Sequence, residues 1–324
     1  MNDAGLIDTV RALGLLAPNE TAECIPLSGG VSSDVFEVRS GERAFVVKRS
    51  IPKLRVKADW RAPVARDAQE VAWLRTVRRI DPRLVPEVLA WSSAHHLFAM
   101  EWRTGPVWKQ EMIEGRVDPN FAGEVGAALA RIHAATAGRV DIAALFPDPS
   151  NFFALRIDPF LLHTGRRHPD VAPRLTSLAA DLQLHGEALI WGDASPKNIL
   201  IAEEGPEFLD AETAAIGDPA FDVAFCLTHL MLKTVWLVSN ATPLMASFVS
   251  LRDSYLSGFP GDAGFSRRAA SLIGALLLAR VDGKSPAGYL SAEQEEIVRR
   301  RAKAILARPD LDLATLPEVW RALA

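Results

Sequence analysis

Apolar positions recur at helical spacing over residues 3–16, with Leu6, Val10, Leu13 and Leu15 in register, and Pro18 ends that element. Strand patterns follow at 23–27, 35–38 and 44–48, broken by Ser28, Gly29 and Gly30 and turned at Ser40 and Gly41. A helix is predicted over 67–79, then two strands at 88–91 and 97–101 around a turn carrying His95 and His96. Residues 50–63 read as a loop or short helix. Beyond residue 120 the pattern is mostly helical. Asp118 and Pro119 signal a start, and Val125, Leu129 and Ile132 share a face of 121–135. Residues 151–167 are less regular, whereas 221–238, 269–278, 293–306 and 317–323 read as helices. Strands first and helices later predict an α+β chain: residues 1–102 as a small five-stranded antiparallel sheet plus a helix, and 103–324 as a larger, mostly helical part.

One stretch interrupts the helical half. Ala188, Leu189 and Ile190 lead into a polar loop, and a hairpin of 199–201 against 207–209 turns at 203–206. Asp193 and Asn198 lie in the loop, and Asp210 follows the second strand, so the hairpin is expected to bring Asn198 and Asp210 to one end. Mg²⁺ takes hard oxygen ligands, usually one or two carboxylates plus substrate phosphate and water. Asn198 and Asp210 suit that role, and Asp193 suits a base that accepts a hydroxyl proton. The pattern points to phosphoryl transfer.

Two features of the first half supply phosphate contacts. Gly29 and Gly30 let the backbone approach a phosphate, while Ser28, Ser32 and Ser33 offer hydroxyls. Lys48 ends the third strand, and a buried lysine there needs a carboxylate; Glu70 is the first candidate and Asp67 the second. Gly283, Lys284 and Ser285 imitate the end of a Walker loop, but that motif needs glycine where Leu278 stands, so the stretch reads as a helix terminus.

Composition narrows the class. The 324 residues are 49% hydrophobic and 23% charged with a net charge of −4, which suits a globular protein and argues against a general nucleic-acid binder. Cys24 and Cys226 are too few for a disulfide framework and read as small core residues. The start MNDAGLIDTV has no secretory pattern, and the apolar run 272–279 is half the length of a membrane span. A cytoplasmic protein with no membrane partner is expected.

With these residues in place, the chain resembles the aminoglycoside phosphotransferase and choline kinase-type small-molecule kinases, relatives of protein kinases, from about residue 25 to about 230. WGDASPKN at 191–198 resembles the catalytic loop, LDAE at 209–212 the metal-binding segment, and GDPAFD at 217–222 the structural motif after it. SGGVSSDVFEV resembles the nucleotide-covering turn and VVKRS the strand of the ATP lysine. The resemblance implies a bilobal protein kinase-like fold, ATP and Mg²⁺ as cofactors, and a small-molecule hydroxyl as acceptor. Asp193 becomes the catalytic base, with Ser195 facing the γ-phosphate. Asn198 and Asp210 become the metal ligands, and Lys48 pairs the α/β-phosphates and Glu70. The adenine is expected near Met100, Glu101 and Trp102. Asp222 is expected to brace the loop and Glu212 to assist near the metal. Methylthioribose kinase-like and antibiotic kinases are the candidate subclasses.

Trp191 departs from the pattern, since the family usually has histidine there; a nucleotide-binding pseudokinase with a regulatory role is the alternative it supports. Arg156, Arg166, Arg167 and His168, if they line the acceptor pocket, favour a neutral or anionic acceptor over a polycation.

Overall fold

The alternating pattern of the first hundred residues closes into one sheet because each strand finds an antiparallel neighbour with matching apolar faces. α1 (Asp3–Ala12) precedes β1 (Glu23–Pro26), β2 (Ser33–Ser40) and β3 (Arg43–Ser50); α2 (Arg66–Ile80), β4 (Val88–Ser92) and β5 (Leu97–Glu101) follow. The strand order is β1-β2-β3-β5-β4, with Lys48 opposite Val35 on one side and Phe98 on the other. A computed structural model describes residues 3–27, 32–55 and 60–323. These fall into two units, residues 1–104 with 208–212 and residues 105–207 with 213–324.

In the first unit Leu6, Val10 and Leu16 pack against Val38, Phe45, Val47, Leu97 and Ala99. α2 buries Val71, Trp73, Leu74 and Val77, where each large apolar side chain contributes about 1.5–3 kcal/mol. The same helix buries Arg66, Asp67 and Glu70, and charge is buried only where partners wait for it. Between β3 and α2 the described residues form a loop, closed by Leu54 N–H donating to the Trp60 carbonyl at 2.9 Å.

The second unit adds α3 (Trp108–Ile113), too short to show a period in the sequence. α4 (Pro119–Thr136) follows, with the Asp118 carboxylate accepting from Asn120 N–H at 2.8 Å as the expected cap. After the single turns α5 (Val140–Ala143) and α6 (Ser150–Phe152), the irregular stretch proves to be a π-helix, Phe153–Leu162, with Pro159 inside it. α7 (His163–Arg167), α8 (Ala172–Leu184), β6 (Ala188–Ile190), a 3₁₀ turn (Pro196–Asn198), β7 (Ile199–Ala202), β8 (Gly205–Phe208) and β9 (Ala215–Gly217) come next. β7 pairs with β8 as the predicted hairpin, and β6 pairs antiparallel with β9.

The chain ends in α9 (Ala220–Trp236), α10 (Ala241–Gly258), α11 (Phe265–Asp282), α12 (Ala292–Leu306) and α13 (Leu316–Ala322). α9 is buried along nearly its whole length, Cys226 included, as its unbroken apolar run requires. α10 lies close on α4 because Gly126 has no side chain; a Cβ there would strike the Leu251 carbonyl. Among the described residues no single helix is long and apolar enough to cross a membrane, and the apolar run 272–279 is buried within α11.

Candidate active site

In the first unit the sheet carries Lys48 into a nest of carboxylates. Lys48 is 6% exposed, and its ammonium donates to Glu70 at 2.8 Å and to Asp210 at 2.6 Å. Burial works against this charge, but Asp210, Glu70 and Glu212 outweigh it and hold Lys48 above the ordinary lysine range. Burial also pushes the Glu70 carboxyl up to about 7, against the pull of Lys48 and with the charge of Asp210 adding to the rise. Asp210 adopts a left-handed backbone at φ 64°, a conformation that aspartate tolerates better than most residues.

Glu70 is thus the lysine's partner, and Asp67 is engaged elsewhere: it accepts from Trp91 Nε1 at 2.8 Å and lies 3.2 Å from His96 Nδ1. Arg66, fully buried, pairs with Glu212 at 2.7 Å and donates to the carbonyls of Ser32, Ile51 and Pro63. Glu212 is therefore held by a guanidinium that also gathers the start of β2. Ser32 and Ser33 are both buried, and Ser33 Oγ has no hydrogen-bond partner. Ser28, Gly29 and Gly30 lie outside the described residues. Met100 is buried in β5, and Glu101 pairs with Arg103 at 3.0 Å beside the half-buried Trp102.

In the second unit the strand β6 ends at Ile190 and the chain turns sharply through Trp191, Gly192 and Asp193. Asp222, on the first turn of α9, accepts the N–H of Trp191 at 2.6 Å and of Gly192 at 2.7 Å. Gly192 sits at φ 77°, and a Cβ there would come within 2.6 Å of the Thr213 hydroxyl. The imidazole that touches Asp222 belongs to His133 of α4, at 3.2 Å, with Tyr255 on its other nitrogen at 2.8 Å. Trp191 itself is 1% exposed, packed into the core as a large apolar side chain.

Asp193, 5% exposed, is held from several directions. Asn198 Nδ2 donates to Oδ2 at 2.8 Å, Arg156 Nη2 lies 3.1 Å from Oδ1, and the half-exposed Lys197 reaches Oδ2 at 3.2 Å. Arg156 also donates to the Gly192 carbonyl at 2.5 Å, so one guanidinium fixes both the turn and the carboxylate. Ser195 is fully buried beside them, and its hydroxyl has no hydrogen-bond partner.

Of the four basic residues singled out in the helical half, Arg156 is the one that reaches Asp193; Arg166 pairs with Asp158 at 3.1 Å, and Arg167 and His168 turn to Asp282. Sequence reading also passed over Lys109, Lys233 and Arg280, although Lys233 is the single lysine in the apolar run of α9. Lys284 of the Walker-like stretch pairs with Asp158 at 3.0 Å, a structural role at the helix terminus.

The donor chemistry fits a divalent cation and a phosphate. Among the described residues no cluster of three His, Cys, Asp or Glu side chains could hold a metal unaided. The Asp210 carboxylate, with 28% of its side chain exposed, is one hard oxygen donor. Asn198 turns its amide nitrogen to Asp193, which leaves its carbonyl oxygen as another.

Comparisons with known proteins place these features. The methylthioribose kinase of Yersinia pseudotuberculosis is 23% identical over 273 residues, 74% of this chain and 66% of the relative. The chain therefore spans just under two thirds of the curated relative's length. The apoenzyme of macrolide 2'-phosphotransferase MphH from Brachybacterium faecium shares 22% identity at a TM-score of 0.53, covering 95% of this chain and 99% of that one. The amicoumacin kinase hAmiN, solved in complex with AMP-PNP and Ca²⁺, reaches a TM-score of 0.62 at 14% identity, covering 98% and 97%. These likenesses show a kinase-like fold. Residues 23–240, two thirds of the chain, match the family described as phosphotransferase enzymes (APH), and the protein belongs to that family.

Proposed function

We propose that the protein is an ATP-dependent phosphotransferase that moves the γ-phosphate to a hydroxyl of a small molecule. The observation that carries this reading is the braced Asp193: a buried carboxylate fixed by Arg156 and Asn198 on a turn whose backbone is pinned by Asp222. Such a carboxylate is poised to orient a hydroxyl and take its proton as the oxygen bonds to phosphorus and ADP leaves. Lys48, kept charged by its carboxylates, holds α/β-phosphate oxygens. The oxygens of Asn198 and Asp210 hold a divalent cation, which neutralises charge on the transferring phosphoryl group when bound. Ser195 offers its unpartnered hydroxyl to the γ-phosphate. Met100, Glu101 and Trp102 are the proposed adenine contacts, and Ser28, Gly29, Gly30, Ser32 and Ser33 the proposed phosphate contacts. The kinship with methylthioribose kinases supports a hydroxyl-bearing metabolite as acceptor.

The test is acceptor-dependent ADP release over a panel of hydroxyl compounds with ATP and magnesium. Asp193→Ala is expected to lower the rate about 10²–10⁴-fold, the usual contribution of a positioned base, while nucleotide still raises the melting temperature. Undiminished turnover in that variant would remove Asp193 from the chemistry.

A further inference from the structure

Several half-buried cations of the second unit have carboxylates: Arg268 has Asp218 and Asp262, and Arg299 has Asp282. Others have none: Arg174 turns to the Ser271 hydroxyl and Arg301 to the Leu323 carbonyl and the Trp320 ring, and three more lie within one another's electrostatic reach. Lys233 of α9 is 1% exposed, and its ammonium makes one hydrogen bond, 3.4 Å to the His229 carbonyl. Arg280 of α11 donates through Nη1 to the carbonyl and hydroxyl of Ser285, while its buried Nε has no partner. Lys109 of α3 sits 5.9 Å above the ring of Tyr289. That ring packs on Trp236 with 4.3 Å between centroids, and the Tyr289 hydroxyl is buried without a partner. None of the three cations forms an ion pair among the described residues.

They also feel one another. Burial first, then Lys109 and Arg280, depress Lys233 to about 7; burial, then Lys197 and Arg280, depress Lys109. Burial lowers Arg280 as well, and the carboxylate acting against that fall is Asp193. The cluster therefore lies within electrostatic reach of the proposed base, on the unit that carries it. Holding one buried and two half-buried cations in mutual repulsion, with unsatisfied donors among them, is unfavourable unless a ligand brings the opposite charge.

We infer that Lys109, Lys233, Arg280 and the Tyr289 hydroxyl form the acceptor subsite for an oxyanion, a carboxylate or phosphate borne by the molecule whose hydroxyl is phosphorylated. This rests on the phosphotransfer reading. The acceptor is the source of the anion because Asp193, on the same unit, must meet the acceptor hydroxyl, whereas Lys48 in the first unit supplies nucleotide-phosphate contacts. The stacked Trp236 and Tyr289 give its carbon skeleton an aromatic wall. A polycationic acceptor is repelled by the same residues.

Two measurements on the full chain test this. In the first, sodium malonate is titrated against sodium chloride at matched ionic strength while the melting temperature is followed. The wild type is expected to show a saturable rise with malonate that disappears in Lys109→Gln/Arg280→Gln and persists in Lys284→Gln. A missing wild-type response, or an equal one in the double variant, overturns the proposal. Loss of protection by ATP and magnesium in the double variant also overturns it, by assigning the cluster to nucleotide phosphates.

The second compares matched acceptors by ADP release: glycerate against glyceramide, and glycerol 3-phosphate against glycerol. The anionic member should lead by about 10- to 100-fold in kcat/KM, the range of a charge-assisted contact, and the double variant should erase that lead. Equal or better turnover of the neutral members overturns the proposal. A specific malonate response without any acceptor-dependent ADP release supports the anion site and overturns only the phosphotransfer reading beneath it.

Discussion

Arg156 reaches Asp193 at 3.1 Å from a π-helical segment, and the same guanidinium takes the carbonyl of Gly192 at 2.5 Å. A π-turn widens the helix and re-aims side chains, and such segments are frequent at functional sites. The third contact, Nη1 to the Leu155 carbonyl at 2.8 Å, leaves the fork little freedom.

Arg156 reaches its three acceptors from three nitrogens, whereas the donors of a lysine all sit on one, so Arg156→Lys should lose nearly as much as Arg156→Ala. We expect kcat for the acceptor reaction to fall about 10- to 100-fold in both variants, with KM for ATP little changed. Steady-state kinetics decide this; full activity in the lysine variant would show that charge alone suffices.

Asp222 satisfies two buried backbone N–H groups and meets His133. Removing it in Asp222→Ala leaves those donors without an acceptor, at a cost of about 3–5 kcal/mol by denaturant unfolding. Asp222→Asn keeps the volume but replaces one acceptor oxygen with a donor, so it should recover less than half of that loss. Recovery to wild-type stability would mean that the turn does not depend on both bonds.

Lys48→Met leaves Glu70 buried beside Asp210 without its cation. Glu70 already holds its proton more tightly when folded (about 7) than its ordinary 4.5, so in the wild type its ionisation costs stability as pH rises from 4.5 to about 7. Without Lys48 that cost should grow and extend to higher pH. The variant is expected to be destabilised by about 3 kcal/mol at pH 8 and by less at pH 5. The double variant Lys48→Met/Glu70→Leu should regain stability but not activity. A Lys48→Met deficit that is the same at both pH values would refute the account.

Lys233 binds its proton less tightly in the folded protein (about 7) than at its ordinary 10.5, through burial first and then the charge of Lys109, with Cys226 opposing and Arg280 adding to the fall. The unfolded chain carries the extra proton between those values, so this group makes stability rise with pH from about 7 to 10.5, with its penalty complete below 7. Lys233→Met should therefore stabilise the protein at pH 7, on the order of a few kcal/mol, and flatten that rise. It should also weaken the malonate response, a stability gain set against function. Denaturant midpoints at pH 7 and 9.5 provide the measurement, and a destabilised Lys233→Met at pH 7 would rule out the electrostatic penalty.

Local pattern in the sequence determined the strands other than β9 and most of the long helices, because alternation and 3.6-residue periodicity depend on neighbours a few positions away. It also singled out the candidate chemical residues: the spacing of Asp193 and Asn198, the aspartate after the second hairpin strand, and a lysine ending an apolar strand. Short α3 and the π-turn around Arg156 left no period to read. Asp67 and Glu70 stand three apart on one helix, so sequence offered Lys48 two carboxylates on neighbouring positions; the packing of α2 on the sheet gave it Glu70 and sent Asp67 to Trp91. Tertiary structure likewise joined Lys48 to Asp210 across 162 positions and tied Arg166, Arg167 and His168 to acidic partners. Among the described residues it left Lys109, Lys233 and Arg280, from three separate helices, without one. Charge pairing at such separations depends on which helix faces meet, and that is fixed by the packing of whole elements.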